Sequence, residues 1–210
     1  MKTEKISPSL IMKTLDFAYE KALNGVAGLD SAQEMADNYI AKGGTKVEMV
    51  NSLIRWQNTK ACTSGFLTGL PGIIVMPVTI PANIASVLYV QVRMIAAIAY
   101  IGGHDIKDDK VKSLVYACVA GNGAKDILKD IGIVVGQKIA TTTVRNISAK
   151  TITAINQKVG FRLLTKFGEK GAVNLGKAIP LIGGIIGGSF DLIATNTIGN
   201  IARNTFIGQE

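Results

Sequence analysis

Residues 61–91 read ACTSGFLTGLPGIIVMPVTIPANIASVLYVQ, thirty-one residues without a charged side chain, and the run continues through one arginine, Arg93, as VRMIAAIAYIGG to Gly103. An apolar run of this length is either the centre of a globular core or a piece of membrane. Pro71, Pro77 and Pro81 decide part of the question. Each removes a backbone donor and clashes with the preceding turn, so no continuous helix crosses the whole stretch. Gly69 to Gly72 read as a turn, 73–80 as a short helix or re-entrant piece, and 82–101 as a clean helix closed by Gly102 and Gly103. That helix is long enough to span a bilayer. Arg93 at its middle opposes a simple span, because a guanidinium at the bilayer centre costs at least about 2.5 kcal/mol. The stretch therefore reads as a broken, mostly internal segment.

At 100° per residue, Asn83, Ser86, Tyr89, Arg93 and Tyr100 form a polar stripe on the 82–101 helix, opposite Ile84, Leu88 and Ile95. A buried guanidinium needs an acceptor, ideally a carboxylate. Between Lys177 and Arg203 the only charge is Asp191, inside a second apolar element covering about 180–206. On that element Gly184, Gly187, Gly188, Asp191, Thr195 and Ala202 share one face, and its glycines allow close approach of a partner helix. The two helices are thus expected to pack together, with Arg93 meeting Asp191. The alternative is that each reaches solvent or a backbone carbonyl separately.

Working outward, residues 1–60 read as three amphipathic helices. Ser7 with Pro8 starts the first, which stops at the Gly25–Gly28 turn; Asp30 or Ser31 starts the second; Thr45 with Glu48 is a capping box for the third. Beyond the central helix, Asp105 or Asp108 caps a helix to Ala120, another is expected from Ala124 to about Thr143, and a pattern broken near Arg145–Ser148 and near Gly160 covers 149–168. No sustained period-two alternation occurs, and the fold class is all-α, one helical bundle of 210 residues.

Charged residues make up 18% and hydrophobic ones 48%, which lies between ordinary soluble and membrane-associated composition. The net charge is +8, and +7 of it lies between Lys125 and Lys177, where ten basic residues face three acidic ones. Such asymmetry points to an anionic partner, a phospholipid surface or nucleic acid. The segment KVGFRLLTKFGEK, 158–170, spaces Lys158, Arg162, Lys166 and Lys170 four apart around Phe161 and Phe167. Basic residues framing an aromatic face suit an interfacial helix; a solvated face over a core contact gives the same spacing. Nucleic acid is disfavoured as the partner, because Arg is scarce (five against eighteen Lys) and no recognition motif is present.

Other features carry less. GAVNLGK, 171–177, matches the start of a phosphate-binding loop, but Ala178 stands where Ser or Thr must hold magnesium and no strand precedes it. His104 reads as an exposed cap, since no second histidine or carboxylate cluster accompanies it to form a metal site or catalytic triad. Cys62 and Cys118 read as reduced, buried thiols. The start MKTEKISPSL lacks the apolar core of a secretion signal, so the cytoplasm is the expected location, and no cofactor is implied.

Two segments resemble the EcsC family of bacterial proteins. One is LPGIIVMPVTIPANIASVLYVQVRMIAAIAYIGGHD, with its proline-marked lead and Gly-Gly-His-Asp turn; the other is the closing KAIPLIGGIIGGSFDLIATNTIGNIARNTF. Together they cover about 65 residues, within a family core placed at 61–210 behind the 1–60 cover. Family members more often carry Asn at the polar position of the closing motif, where this chain has Asp191, so an Arg93–Asp191 pair would not be a family-wide device. The family is named for a protein encoded beside an ABC transporter and linked to secretion, and its members lack an established biochemical activity. The resemblance implies a helical, membrane-linked bacterial protein. The expectation is a non-enzymatic cytoplasmic protein that associates peripherally or shallowly with the inner membrane through its apolar hairpin-like elements and basic segment, binding anionic lipid or a membrane protein and linked to transport or secretion. The alternative is a hydrolase-like enzyme acting at the membrane, using Arg93, His104 or Asp191; nucleic-acid-binding and toxin or immunity roles rank lower.

Overall fold

The computed structural model describes the backbone of residues 6–61, 82–167 and 183–208, and the side chains of 6–59, 84–167 and 195–208. The described elements are helices α1 (Pro8–Asn24), α2 (Ala32–Ile40), α3 (Lys46–Ala61), α4 (Ala82–Gly102), α5 (Asp109–Val119), α6 (Ala124–Lys129), α7 (Thr141–Arg145), α8 (Ala149–Phe167) and α9 (Gly183–Phe206), with a 3₁₀ turn at Gly121–Gly123. Among the described residues no strand forms, and the fold is all-α.

The N-terminal helices begin where local chemistry dictates. Ser7 Oγ accepts from the Leu10 N–H at 3.2 Å, Pro8 stands at the first helical position, and Gly25 at φ 74° closes α1. Ser31 and Glu34 exchange two hydrogen bonds, Ser31 N–H to Glu34 Oε2 at 2.8 Å and Glu34 N–H to Ser31 Oγ at 3.2 Å. Thr45 and Glu48 repeat this arrangement at α3.

The core is organised around α4. From Ile84 to Ala99 every residue but Val87 is buried, under α1, α2, α3, α5 and α9. Ile84–Gly102 is long and apolar enough to cross a membrane, yet 89% of its apolar window is buried inside this fold, which is the position of a core helix. Residues 62–81, with the three prolines and the 73–80 segment, lie outside the described residues.

Two sequence expectations fail. The helix expected over 124–143 ends at Lys129, and α7 forms only at Thr141. Between them Gly132 and Gly136 adopt φ 80° and 115°, and the β-branched run around Ile133–Val135 favours extended backbone over helix. This link finds other partners: the N–H groups of Gly136 and Ile139 donate to the carbonyls of Asn204 and Thr205 at 3.2 and 2.9 Å. Those are last-turn carbonyls of α9, which the helix itself cannot satisfy. Secondly, α8 runs unbroken through Gly160. That glycine serves a helix contact, since a Cβ there would lie 3.2 Å from the Pro8 carbonyl oxygen and 3.3 Å from Met12 Cγ.

Helix α9 packs on α3 and α4, so the central and C-terminal helices do meet. Among the described residues of α9 a close approach lies at Gly199, where an added Cβ would stand 2.8 Å from Ile54 Cγ1 and 3.1 Å from Cγ2. Ile54 is buried and β-branched and has little room to turn away. Gly199→Ala should therefore lower thermal stability by about 1–3 kcal/mol despite the better helix propensity of alanine. Thermal unfolding followed by circular dichroism checks this; a midpoint at or above wild type would show that Ile54 can step aside.

Candidate functional site

Arg93 is 2% exposed, among the largest fully buried side chains of the protein. One terminal nitrogen, Nη1, donates to the Asp30 carbonyl at 3.0 Å, and the guanidinium carbon lies 5.6 Å from the centre of the Tyr89 ring one turn earlier. Arg93 Nε completes no hydrogen bond. Burial pushes the arginine pKa down, and the nearby Tyr89 and Asp30 partly offset this. Asp30 is exposed, with its carboxylate engaged by Asn38 Nδ2 at 3.2 Å, so among the described residues the guanidinium has a carbonyl rather than a carboxylate at bonding distance.

Along the stripe, Ser86 and Tyr89 are buried and Tyr100 is half-buried, while the Asn83 side chain lies outside the described residues. The Tyr89 hydroxyl completes no hydrogen bond. The Asp191 side chain also falls outside the described residues, as do the immediate surroundings of Gly184, Gly187 and Gly188, whereas Thr195 and Ala202 of the same face are buried.

Arg93 lines a cleft of about 510 Å³ between α2, α3 and the turn before α2. Gln57 lies in its wall and is also 2% exposed; among the described residues its Nε2 reaches the Met35 sulfur at 3.7 Å, and its Oε1 is unpartnered. Lys42 sits 4.6 Å over the Tyr39 ring, and Trp56, half exposed at 51%, flanks the cleft. Among the described residues the charged ones lining it are Asp30, Lys42 and Arg93, an excess of one positive charge. Sequence reading missed Gln57. The signal was available, since Val50, Leu53, Ile54 and Gln57 follow the i, i+3, i+4, i+7 spacing of a buried face with a polar residue at its end.

The basic segment divides between surface and core. Phe161 is 65% exposed on α8, flanked by the exposed Lys158 and Arg162. Lys158 pairs with Asp130. Phe167 is only 7% exposed and belongs to the core, so it is not the surface aromatic expected; Lys166 lies 5.1 Å from the centre of its ring. Lys170 lies outside the described residues.

His104 corrects a further expectation. It is 4% exposed rather than an exposed cap, with its ring edge-on to Phe206 at 5.4 Å. The Phe206 carbonyl is near, yet neither imidazole nitrogen completes a hydrogen bond. Burial lowers its pKa, and Lys138 and Lys46 lower it further. His104 and Arg93 stand eleven residues apart on and just past α4, about 16 Å along the axis, and do not share the cleft. Among the described residues no group of three His, Cys, Asp or Glu side chains is placed to hold a metal ion. Cys118 is fully buried, and burial pushes its thiol up to about 12, which leaves it unreactive; Cys62 lies outside the described residues.

The histidine makes a pH prediction. An unfolded imidazole titrates near 6.5, whereas the buried one resists protonation. Its contribution to stability is thus complete above that value and is lost as pH falls through it towards the lower folded value. Melting temperature should fall between pH 7 and 5.5, and His104→Leu should flatten that slope. Equal slopes would show that the imidazole takes up its proton without cost.

Compared with known proteins, the chain matches the family model described as the EcsC protein family over residues 1–207, the N-terminal helices included. No curated protein and no solved structure gives a significant match.

Proposed function

The chain belongs to the EcsC protein family, and we propose that it is a non-enzymatic helical protein that associates peripherally with an anionic membrane surface, on the cytoplasmic side, through the exposed face of α8. The observation that carries this reading is Phe161, exposed at 65% between Lys158 and Arg162 within the segment that holds +7 of the net charge of +8. Lys150, Gln157 and Thr165 share that exposed face. A phenylalanine entering the interface contributes about 2 kcal/mol and each basic residue near anionic lipid about 1 kcal/mol. Lys158 contributes less, because Asp130 already neutralises part of its charge. The sum, about 4 kcal/mol, gives weak and reversible attachment that salt releases. In this reading α4 stays in the protein core, and attachment leaves the bundle intact. A transport or secretion link would then come through what the protein meets at that surface.

Protein-free liposomes separate lipid from a membrane-protein partner. The protein should float with vesicles containing phosphatidylglycerol at low salt and lose that association in about 0.5 M salt. Phe161→Ser with Arg162→Glu should abolish flotation without changing the melting temperature. Failure of the wild type to float at low salt would refute the lipid reading.

A further inference from the structure

The α2–α3 cleft has a composition that a purely structural cavity does not need. Two side chains of its wall, Arg93 and Gln57, are 2% exposed and each carries a buried polar atom that completes no hydrogen bond, the guanidinium Nε and the amide Oε1. A buried donor or acceptor left unsatisfied costs about 1–3 kcal/mol, more when it is charged. Among the described residues the acceptor at bonding distance of the guanidinium is a neutral carbonyl, and the Tyr89 side chain beside it supplies part of a positive charge's missing solvation. Lys42 adds a second cation to the lining, and the Asp30 carboxylate, committed to Asn38, offsets only one of the two. Met35 and Trp56 supply apolar surface beside these polar groups.

We infer that this cleft is a binding site for a compact organic oxyanion, a carboxylate or phosphate monoester that also carries a hydroxyl or amino donor. The oxyanion is received by Arg93 and Lys42, for which a planar guanidinium offers paired donors. The ligand's donor group is received at Gln57, whose amide turns its closed-off Oε1 towards the cleft by giving up the weak contact to the Met35 sulfur, and its carbon skeleton lies against Met35 and Trp56. About 510 Å³ accommodates a molecule of that size and falls within the range of small-ligand pockets. The inference does not rest on the α8 surface, which is built from other residues.

Trp56 is the only tryptophan of the chain and lines the cleft, so its fluorescence reads occupancy directly. The wild-type protein is titrated with glycerol 3-phosphate, serine and inorganic phosphate at constant ionic strength, with sodium chloride as the control. A saturable emission change is expected with at least one of them and none with chloride. Removing Arg93 would empty the centre of α4, so the variants leave it in place; Gln57 is equally buried, and the exposed Lys42 supplies the variant that tests binding without disturbing the core. Gln57→Glu puts a fixed carboxylate into the cleft and should weaken the response at least about tenfold; the exposed Lys42→Glu should weaken it about threefold or more. Far-UV circular dichroism confirms that both are folded. A parallel titration with phosphatidylcholine vesicles with and without phosphatidic acid distinguishes a lipid headgroup from a soluble ligand. Silence of Trp56 towards the soluble ions and the vesicles alike overturns the inference, and so does a response that either variant retains at full strength. Flotation is scored separately, so failure of one reading leaves the other standing.

Discussion

A charged group inside an apolar helix sets the terms for this fold. Helix α4 is buried over nearly its whole length, and Arg93 near its middle depends on protein groups for most of its solvation. The turn before α2 performs that task by presenting the Asp30 carbonyl at 3.0 Å, immediately ahead of the Ser31 capping box that fixes where α2 begins. The cap and the arginine are coupled through adjacent residues of the backbone. Displacing that turn would expose the apolar face of α2 and leave a guanidinium unsolvated in the core.

Much of the architecture is written in local signals. Ser7–Pro8, Thr45–Glu48, Asp108 and Gly103 mark helix ends, and each operates through contacts within a few residues, so a linear reading recovers them. The 124–143 stretch misled because its apolar spacing suits a helix, while the competing partners, the Asn204 and Thr205 carbonyls, lie far along the chain. Gly160 misled for a related reason: a glycine that breaks a helix and one that admits a neighbour look alike until Pro8 and Met12 are placed beside it.

The candidate sites were legible only in part. Arg93 stands out because a lone charge in an apolar run is conspicuous, and Phe161 because basic residues surround it. Gln57 and His104 do not stand out, since glutamine is common on helices and a histidine beside Asp105 resembles a cap. Their burial depends on α4 and on the C-terminal end of α9, which no local pattern encodes. Phe167 shows the converse, an aromatic in a basic segment that turns inward because the face of α8 bearing Ile155, Val159 and Leu163 is the face against the core.

The pairing of α3 with α9 also has a timetable. Asn58 bonds Asn196 and Asn51 bonds Arg203 across separations of 138 and 152 residues. At synthesis rates of about 5–20 residues per second, α3 waits roughly 7 to 30 s on the ribosome before the helix that fits against Ile54 has been made. For that interval the face of α3 that meets α9 lacks that partner. A nascent chain rich in apolar sequence is then most exposed to membranes, chaperones and its own copies, and arrival of the Gly199 segment ends that exposure.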